Sequence, residues 1–251
     1  MDIRFSKVTK SYSESGARHV IFENLDALFP SGAVSVIVGK SGVGKSSLLN
    51  LAGGIDTPNS GTIQLGKTQI TDMSDRERTL LRRKKIGFIF QFFNLIPVLT
   101  VFENACLIAE LDNASPRVFR ERALFLLEQT GLYHRRDAFP DQLSGGEQQR
   151  VAIVRALVND PEVILADEPT GNLDMATGRT VLELIVRLVK EQNKTLIMVT
   201  HSPEAMGFAH QVFTFENRHL SATLTPSASA TNSPLLTVTD SPALPSGDNP
   251  T

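Results

Sequence analysis

The chain has 251 residues, 41% of them hydrophobic, which suits one substantial core with an appendage. Its formal net charge of −2 gives no electrostatic footprint for non-specific nucleic-acid binding, and the single Cys106, a small apolar filler by type, excludes an internal disulfide or a cysteine metal cluster. Met1-Asp2-Ile3-Arg4 opens no secretory signal, and no apolar run approaches the roughly 18 residues of a membrane span. The expectation is a cytosolic chain that meets a membrane only through a partner.

Taken in chain order, Ile3 to Val8 and Val20 to Phe29 read as strands of a small antiparallel layer. Ala33 to Val38 is a short apolar run of the kind buried on both faces, and a helix follows Gly44. Ile86 to Phe90, Glu162 to Ala166 and Thr195 to Thr200 are similar runs, with helices after Thr177 and after Pro203. This alternation predicts an α/β fold on a mainly parallel sheet. The basic run Arg82 to Lys85 reads as a solvated approach to the strand that follows it. Between Gln91 and Ser144 the pattern is helical only, including a helix begun by Ser115-Pro116, faced by Phe119, Ala123, Leu126 and Leu127, and ended at Gly131. An inserted helical subdomain over about residues 92–158 follows. Gln211 to Phe215 is the last core-like run; from Ser221 to Thr251 Ser, Thr, Ala and Pro dominate, and that tail is expected to be disordered.

Gly39-Lys40-Ser41-Gly42-Val43-Gly44-Lys45-Ser46 has the Gly-x4-Gly-Lys-Ser spacing of a phosphate loop, between a buried strand and a helix that continues through Ser47, Leu48 and Leu49. Its N–H groups can cradle phosphates, Lys45 can neutralise β- and γ-oxygens, and the Ser46 hydroxyl can bind Mg²⁺. Asp167 and Glu168 lie past the carboxyl end of a buried strand, where open α/β sheets bind ligands. Two adjacent carboxylates there call for a cation. Asp167 suits the Mg²⁺ shell, and Glu168 suits the general base that polarises an attacking water.

Leu143-Ser144-Gly145-Gly146-Glu147-Gln148-Gln149-Arg150 carries the Ser-x-x-Glu spacing of a capping box, so a helix should start here and run through Val158, stopped by Asn159-Asp160-Pro161. Glycine weakens a helix start unless something must come close. Gly145 and Gly146 would leave N–H groups uncovered at the positive end of the helix dipole, where a phosphate can approach.

With these elements in order, residues 1–220 resemble the ATP-binding cassette (ABC) ATPases. The resemblance implies further roles. Gln91 would reach Mg²⁺ and the attacking water and link the core to the helical insertion. Asp174, in Gly171-Asn172-Leu173-Asp174, would couple two subunits' sites, and His201 would contact the γ-phosphate. Tyr12 would stack on adenine. Ser202 stands where related cassettes commonly carry Asp, and Phe139-Pro140-Asp141-Gln142 lacks the acidic-glycine element of many exporters. Leu81 to Phe92, Ala166 to Asp174 and Gly53-Gly54-Ile55-Asp56 look instead like the lipoprotein-releasing, macrolide-efflux and cell-division branch.

The resemblance further implies an ATPase that works with Mg²⁺ as a pair. Each ATP would be shared between Lys45 of one copy and Ser144 and Gly146 of the other, and integral membrane permease subunits would dock near Gln91 to Thr100. The chain would then sit peripherally on the cytoplasmic face of the plasma membrane and power lipoprotein release or efflux. An alternative is a regulatory ATPase signalling to an envelope or division partner without transport. Cassettes that act on nucleic acid or ribosomes usually need tandem cassettes, a coiled coil or zinc cysteines, so no nucleic-acid partner is expected.

Overall fold

The computed structural model describes residues 1–14, 17–112, 115–216 and 218–224. Strands β1 (Ile3–Glu14) and β2 (Ala17–Phe29) pair antiparallel, and with β4 (Ser60–Leu65) and β5 (Thr68–Gln69) they form a four-stranded sheet in the order β2-β1-β4-β5. The second sheet is built from β3 (Val34–Val38), β6 (Ile86–Ile89), β7 (Val163–Asp167), β8 (Thr195–Val199), β9 (Gln211–Glu216) and β10 (His219–Leu224). Its order is β10-β9-β3-β8-β7-β6, parallel throughout except for the β9–β10 hairpin.

Alternate residues of each central strand face opposite sides of the sheet. Val34, Val36, Ile164, Ala166, Leu196 and Met198 enter one core, while Ile37, Val163, Leu165, Ile197 and Val199 enter the other. That explains the unbroken apolar runs: both faces are covered. On the first side lie α5 (Gly145–Leu157) and α6 (Met175–Glu191). On the second lie α1 (Lys45–Ala52) and the antiparallel sheet. Phe29 against Phe213 (4.9 Å between ring centroids) and Phe22 against Phe215 (6.0 Å) join the small sheet to the large one.

The expected insertion is helical: α3 (Val101–Leu111), α4 (Pro116–Gln129) and two single-turn 3₁₀ segments precede α5. Phe119, Ala123, Leu126 and Leu127 are the buried face of α4, as their spacing requires. Ser115 precedes Pro116 as expected, but its side chain makes no capping bond.

Three expectations change. Arg82 to Lys85 are the last turn of a helix, α2 (Asp75–Lys85), rather than an approach to β6. A Ser74–Glu77 capping box starts it and the basic residues complement its C-terminal dipole. The helix after the second carboxylate motif begins at Met175, ahead of Thr177, because the Asp174 carboxylate accepts the Thr177 N–H (3.0 Å). The expected tail boundary at Ser221 falls inside β10, an edge strand whose composition hides its pairing with β9; residues 225–251 lie outside the described residues. The segment beyond Pro203 is α7 (Pro203–Met206), a single turn.

Candidate functional site: a phosphate loop and paired carboxylates at one sheet edge

Four neighbouring parallel strands, β3, β8, β7 and β6, end at the same edge of the large sheet. The phosphate loop follows β3, Thr200-His201 follows β8, Asp167-Glu168 close β7, and Phe90-Gln91 follow β6. Topology alone therefore gathers residues that lie more than a hundred positions apart in the chain. Ligands bind at this carboxyl edge in open α/β sheets.

A cavity of about 270 Å³ opens there. Ser41, Gly42, Gly44, Lys45, Ser46 and Ser47 line one side, and Gln91, Asp167 and Glu168 the other. Gly44 has φ 108°, and a Cβ at this position would meet Ile21 Cγ2 at 2.2 Å, so the turn into α1 needs glycine. Lys45 is only 7% exposed, and its ammonium donates to the carbonyls of Gly39 and Lys40 (2.8 Å each). The loop thus folds round its own lysine. Val43 packs into the core beneath.

Asp167 has one carboxylate oxygen buried without a hydrogen-bond partner. Burial pushes its pKa up, opposed by a hydrogen bond with Ser46 and by the charge of Lys45, while the neighbouring Glu168 adds to the rise. An orphaned carboxylate oxygen beside a hydroxyl is a donor set that fits a hard divalent cation. Among the described residues no group of three or more His, Cys, Asp or Glu could hold a metal alone. A cation here would take its remaining oxygens from phosphates and water, the usual arrangement for Mg²⁺.

Glu168 has φ 46°, a left-handed backbone that a non-glycine residue adopts rarely and at a cost. Its N–H donates to the Val199 carbonyl (2.9 Å), which ties the strained residue to β8. One carboxylate oxygen lies 2.9 Å from His201 Nδ1 and accepts the His201 N–H at 3.3 Å. Glu168, His201 and Asp174 also line a second cavity of about 280 Å³ next to the first. Gln91 reaches the same place from β6: its carbonyl accepts from Asn172 Nδ2 (3.0 Å), and its Nε2 donates to Asn172 Oδ1 (3.4 Å). Ser202 donates its N–H to Thr200 Oγ1 (2.9 Å), a bond that holds the turn after β8.

The capping box at Ser144 is formed. Ser144 N–H donates to Glu147 Oε2 (2.8 Å), Glu147 N–H to Ser144 Oγ (3.3 Å), and the hydroxyl to the same carboxylate (2.9 Å). Ser144, Gly145 and Gly146 do not line the phosphate-loop cavity of their own chain. The glycines have a reason inside this chain. A Cβ at Gly146 would meet Thr177 Cγ2 at 2.5 Å, and one at Gly145 would meet Leu173 Cδ2 at 3.3 Å. Room for α6 therefore accounts for Gly146 within one chain: what must come close there includes Thr177.

Several site residues have no local sequence signature. Gln149, fully buried on α5, donates through Nε2 to the Pro169 carbonyl (2.7 Å) and the Phe90 carbonyl (3.4 Å), bracing the segments that carry Glu168 and Gln91. Arg155 holds the Phe93 and Asn94 carbonyls (2.8 and 2.6 Å), so the chain after Gln91 is pinned to the same helix. Tyr12 lies beside Ser47, its hydroxyl 3.4 Å from Ser47 Oγ and 2.8 Å from Asp56 Oδ2.

A parallel sheet with a phosphate loop after one strand and a half-buried Asp-Glu pair after another defines a phosphate-loop nucleoside triphosphatase. The ABC transporter family model matches residues 22–171, and the chain belongs to that family of ATP-binding, ATP-hydrolysing cassette subunits. It is 45% identical over 218 residues to an uncharacterised ABC transporter ATP-binding protein of Mycobacterium tuberculosis, covering 87% of this chain and 88% of that one. It is 44% identical over 199 residues to the lipoprotein-releasing system ATP-binding protein LolD of Xanthomonas campestris pv. campestris, covering 79% and 83%. Among solved structures, a dimeric bacterial ABC transporter cassette, MJ0796, superposes with TM-score 0.81 at 38% identity, covering 88% of this chain and 98% of that one. A post-hydrolysis dimer of the same cassette bound to ADP and Pi matches with TM-score 0.81 at 37% identity. Among the described residues no helix is long and apolar enough to cross a membrane.

Proposed function

We propose that two copies of this chain close on two ATP molecules and power a membrane transporter of the lipoprotein-releasing or efflux type. The observation that carries the pairing is the separation within one chain of Ser144 to Gly146 from the phosphate-loop cavity, although both belong to the family's nucleotide contacts. A second copy placed head-to-tail by a two-fold axis supplies the missing half. Met175, next to Asp174 and 81% exposed, and the exposed Ser144 lie where such a partner would cover them. The dimeric structure of the similar MJ0796 cassette supports a pair.

In the closed pair, Lys45 and the loop N–H groups bind the β- and γ-phosphates, and Ser144 and Gly146 of the other copy meet the γ-phosphate from the opposite side. Ser46 and Asp167, with Gln91, would hold Mg²⁺, which would supply neutralisation of phosphate oxygens. Glu168 takes the proton of the attacking water, positioned by its strained backbone and by the His201 backbone N–H. His201 is free to leave Glu168 for the γ-phosphate because its side chain is 71% exposed.

The permease contact is assigned to the groove between α2, β6 and α3, a cavity of about 430 Å³ lined by Ile55, Phe88, Phe90 and Leu107 together with Arg82 and Arg155. No carboxylate lines it, so it fits an apolar segment carrying an acidic side chain. Phe92 and Val98, both exposed, offer further apolar contacts within Gln91 to Thr100. Such a chain is peripheral, on the cytoplasmic face of the plasma membrane. The 44% identity to LolD supports the lipoprotein-releasing reading.

Reconstitution tests this reading. Membrane subunits co-purified with the chain from detergent-solubilised membranes are expected to move substrate in vesicles only when ATP is present. Subunits that bind the chain and raise its hydrolysis but move nothing would contradict transport and favour the regulatory role. The Phe92→Glu/Val98→Glu double variant is expected to lose at least about 90% of the co-purified membrane subunits, as loss of an apolar contact core predicts; full retention would displace the docking surface.

A further inference from the structure

Lys10 and Tyr12 lie two residues apart on β1, so their side chains project to the same face of the strand. The Lys10 ammonium sits 4.6 Å from the centroid of the Tyr12 ring, over one of its faces. Lys10 is only 6% exposed, and a lysine so buried requires a counter-charge. Asp56 provides it: the ammonium donates to the Asp56 carboxylate (2.7 Å) and to the Thr57 carbonyl (2.8 Å). Oδ2 of the same carboxylate, also 2.7 Å from the ammonium, accepts the Tyr12 hydroxyl at 2.8 Å. Burial would push the Asp56 carboxyl up, yet the hydrogen bonds from Lys10 and Tyr12 hold it below its ordinary value. One carboxylate therefore grips both the tip of the ring and the cation that covers its face.

This cluster is joined to the phosphate site by short covalent connections. Asp56 follows the C-terminus of α1 by four residues, and α1 begins at Lys45 of the phosphate loop. Ser47, in the first turn of α1 and on the wall of the phosphate-loop cavity, lies 3.4 Å from the Tyr12 hydroxyl. Tyr12 itself is 37% exposed.

We propose that Asp56 and Lys10 are positioning residues for the nucleobase, clamping Tyr12 so that the ammonium closes one ring face and the other is presented to adenine at a set distance from the phosphate loop. This rests on the reading of Tyr12 as the base platform. A ring held in place before binding loses less conformational freedom when the base arrives. The clamp thus acts on recognition of the base and leaves phosphate binding to the loop.

The experiment compares ATP with inorganic tripolyphosphate, which has the phosphates and no base, by calorimetric titration of the full chain and its Tyr12→Ala, Tyr12→Phe and Asp56→Asn variants. Tyr12→Phe keeps the ring and the Lys10–Asp56 pair, so it tests the clamp even where the Asp56 variant folds poorly. Tyr12→Phe and Asp56→Asn are each expected to weaken ATP by about three- to tenfold, the effect of one side-chain hydrogen bond, with tripolyphosphate unchanged. The Tyr12→Phe/Asp56→Asn double variant should be no weaker than Asp56→Asn alone, because loss of the Asp56 charge already loosens the carboxylate that holds both Lys10 and the Tyr12 hydroxyl. In steady state the change should fall on KM with kcat kept. A Tyr12→Phe variant with wild-type ATP affinity, beside a Tyr12→Ala variant that binds ATP poorly, would overturn the clamp and leave the platform standing. Unchanged ATP affinity in Tyr12→Ala would instead overturn the platform reading itself. Equal weakening of ATP and tripolyphosphate would assign the cluster to the integrity of the phosphate loop and overturn the proposal.

Discussion

The Glu168→Gln variant is expected to lose ATP turnover by about 10²–10⁴-fold, the range for removing a general base, while retaining ATP. Glutamine keeps the shape of the side chain and can still accept the His201 N–H, so the left-handed turn and its bond to Val199 should survive. What disappears is the basic oxygen. The location makes the loss severe: Glu168 is held in a costly backbone conformation at the sheet edge, between the phosphate-loop cavity and the exposed His201. Phosphate release under saturating ATP measures the effect. Turnover within tenfold of wild type would remove Glu168 from the base role and leave the water to another group.

The Lys45→Ala variant is expected to bind ATP poorly. Lys45 is buried to 7% exposure, and its ammonium is aimed along the loop by the Gly39 and Lys40 carbonyls. A triphosphate brought into the cavity without it would place several negative charges near Asp167 and Glu168 with one fewer cation to meet them. Removing one partner of a buried, hydrogen-bonded charge pair costs roughly 2–5 kcal/mol, or ~30-fold to ~5,000-fold in affinity. Titration with a fluorescent ATP analogue reads this directly. Affinity within threefold of wild type would mean that the backbone N–H groups and the helix dipole carry the phosphates by themselves.

Much of this molecule is legible in short stretches of its sequence. The phosphate loop, the capping box at Ser144 and the Asp167-Glu168 pair are contiguous, and each carries its physical reason within a few residues. The buried parallel strands are equally plain because they are apolar without alternation. Other parts had a local signal of a different kind. Ser74-Asp75-Arg76-Glu77 and Thr100-Val101-Phe102-Glu103 are capping boxes that mark the starts of α2 and α3, but α2 buries no residue and so lacks the apolar period that identifies a helix from within. Strand β10 is hidden for a related reason, being a polar edge paired on one side.

The remaining features depend on pairs distant in the chain. Gln149 braces Pro169 and Phe90, Arg155 pins Phe93 and Asn94, and Asp56 joins Lys10 to Tyr12; no spacing along the sequence encodes these meetings. Gly146 is the instructive case. Its position at an anion-binding helix start suggested a ligand, whereas the Cβ clash with Thr177 shows that packing of α5 on α6 demands glycine in any event. Packing and ligation are compatible at such a helix start.

The central claim, a nucleotide site completed by a second copy, is tested most directly by sedimentation of the Glu168→Gln chain with ATP and Mg²⁺. The expected species is a dimer, about twice the 27.4 kDa chain, that reverts to monomer when ATP is withheld. Adding Ser144→Arg to the same chain places a long cation at the exposed helix start and is expected to leave a monomer with ATP present. A Glu168→Gln/Ser144→Arg chain that still dimerises on ATP would contradict the shared site.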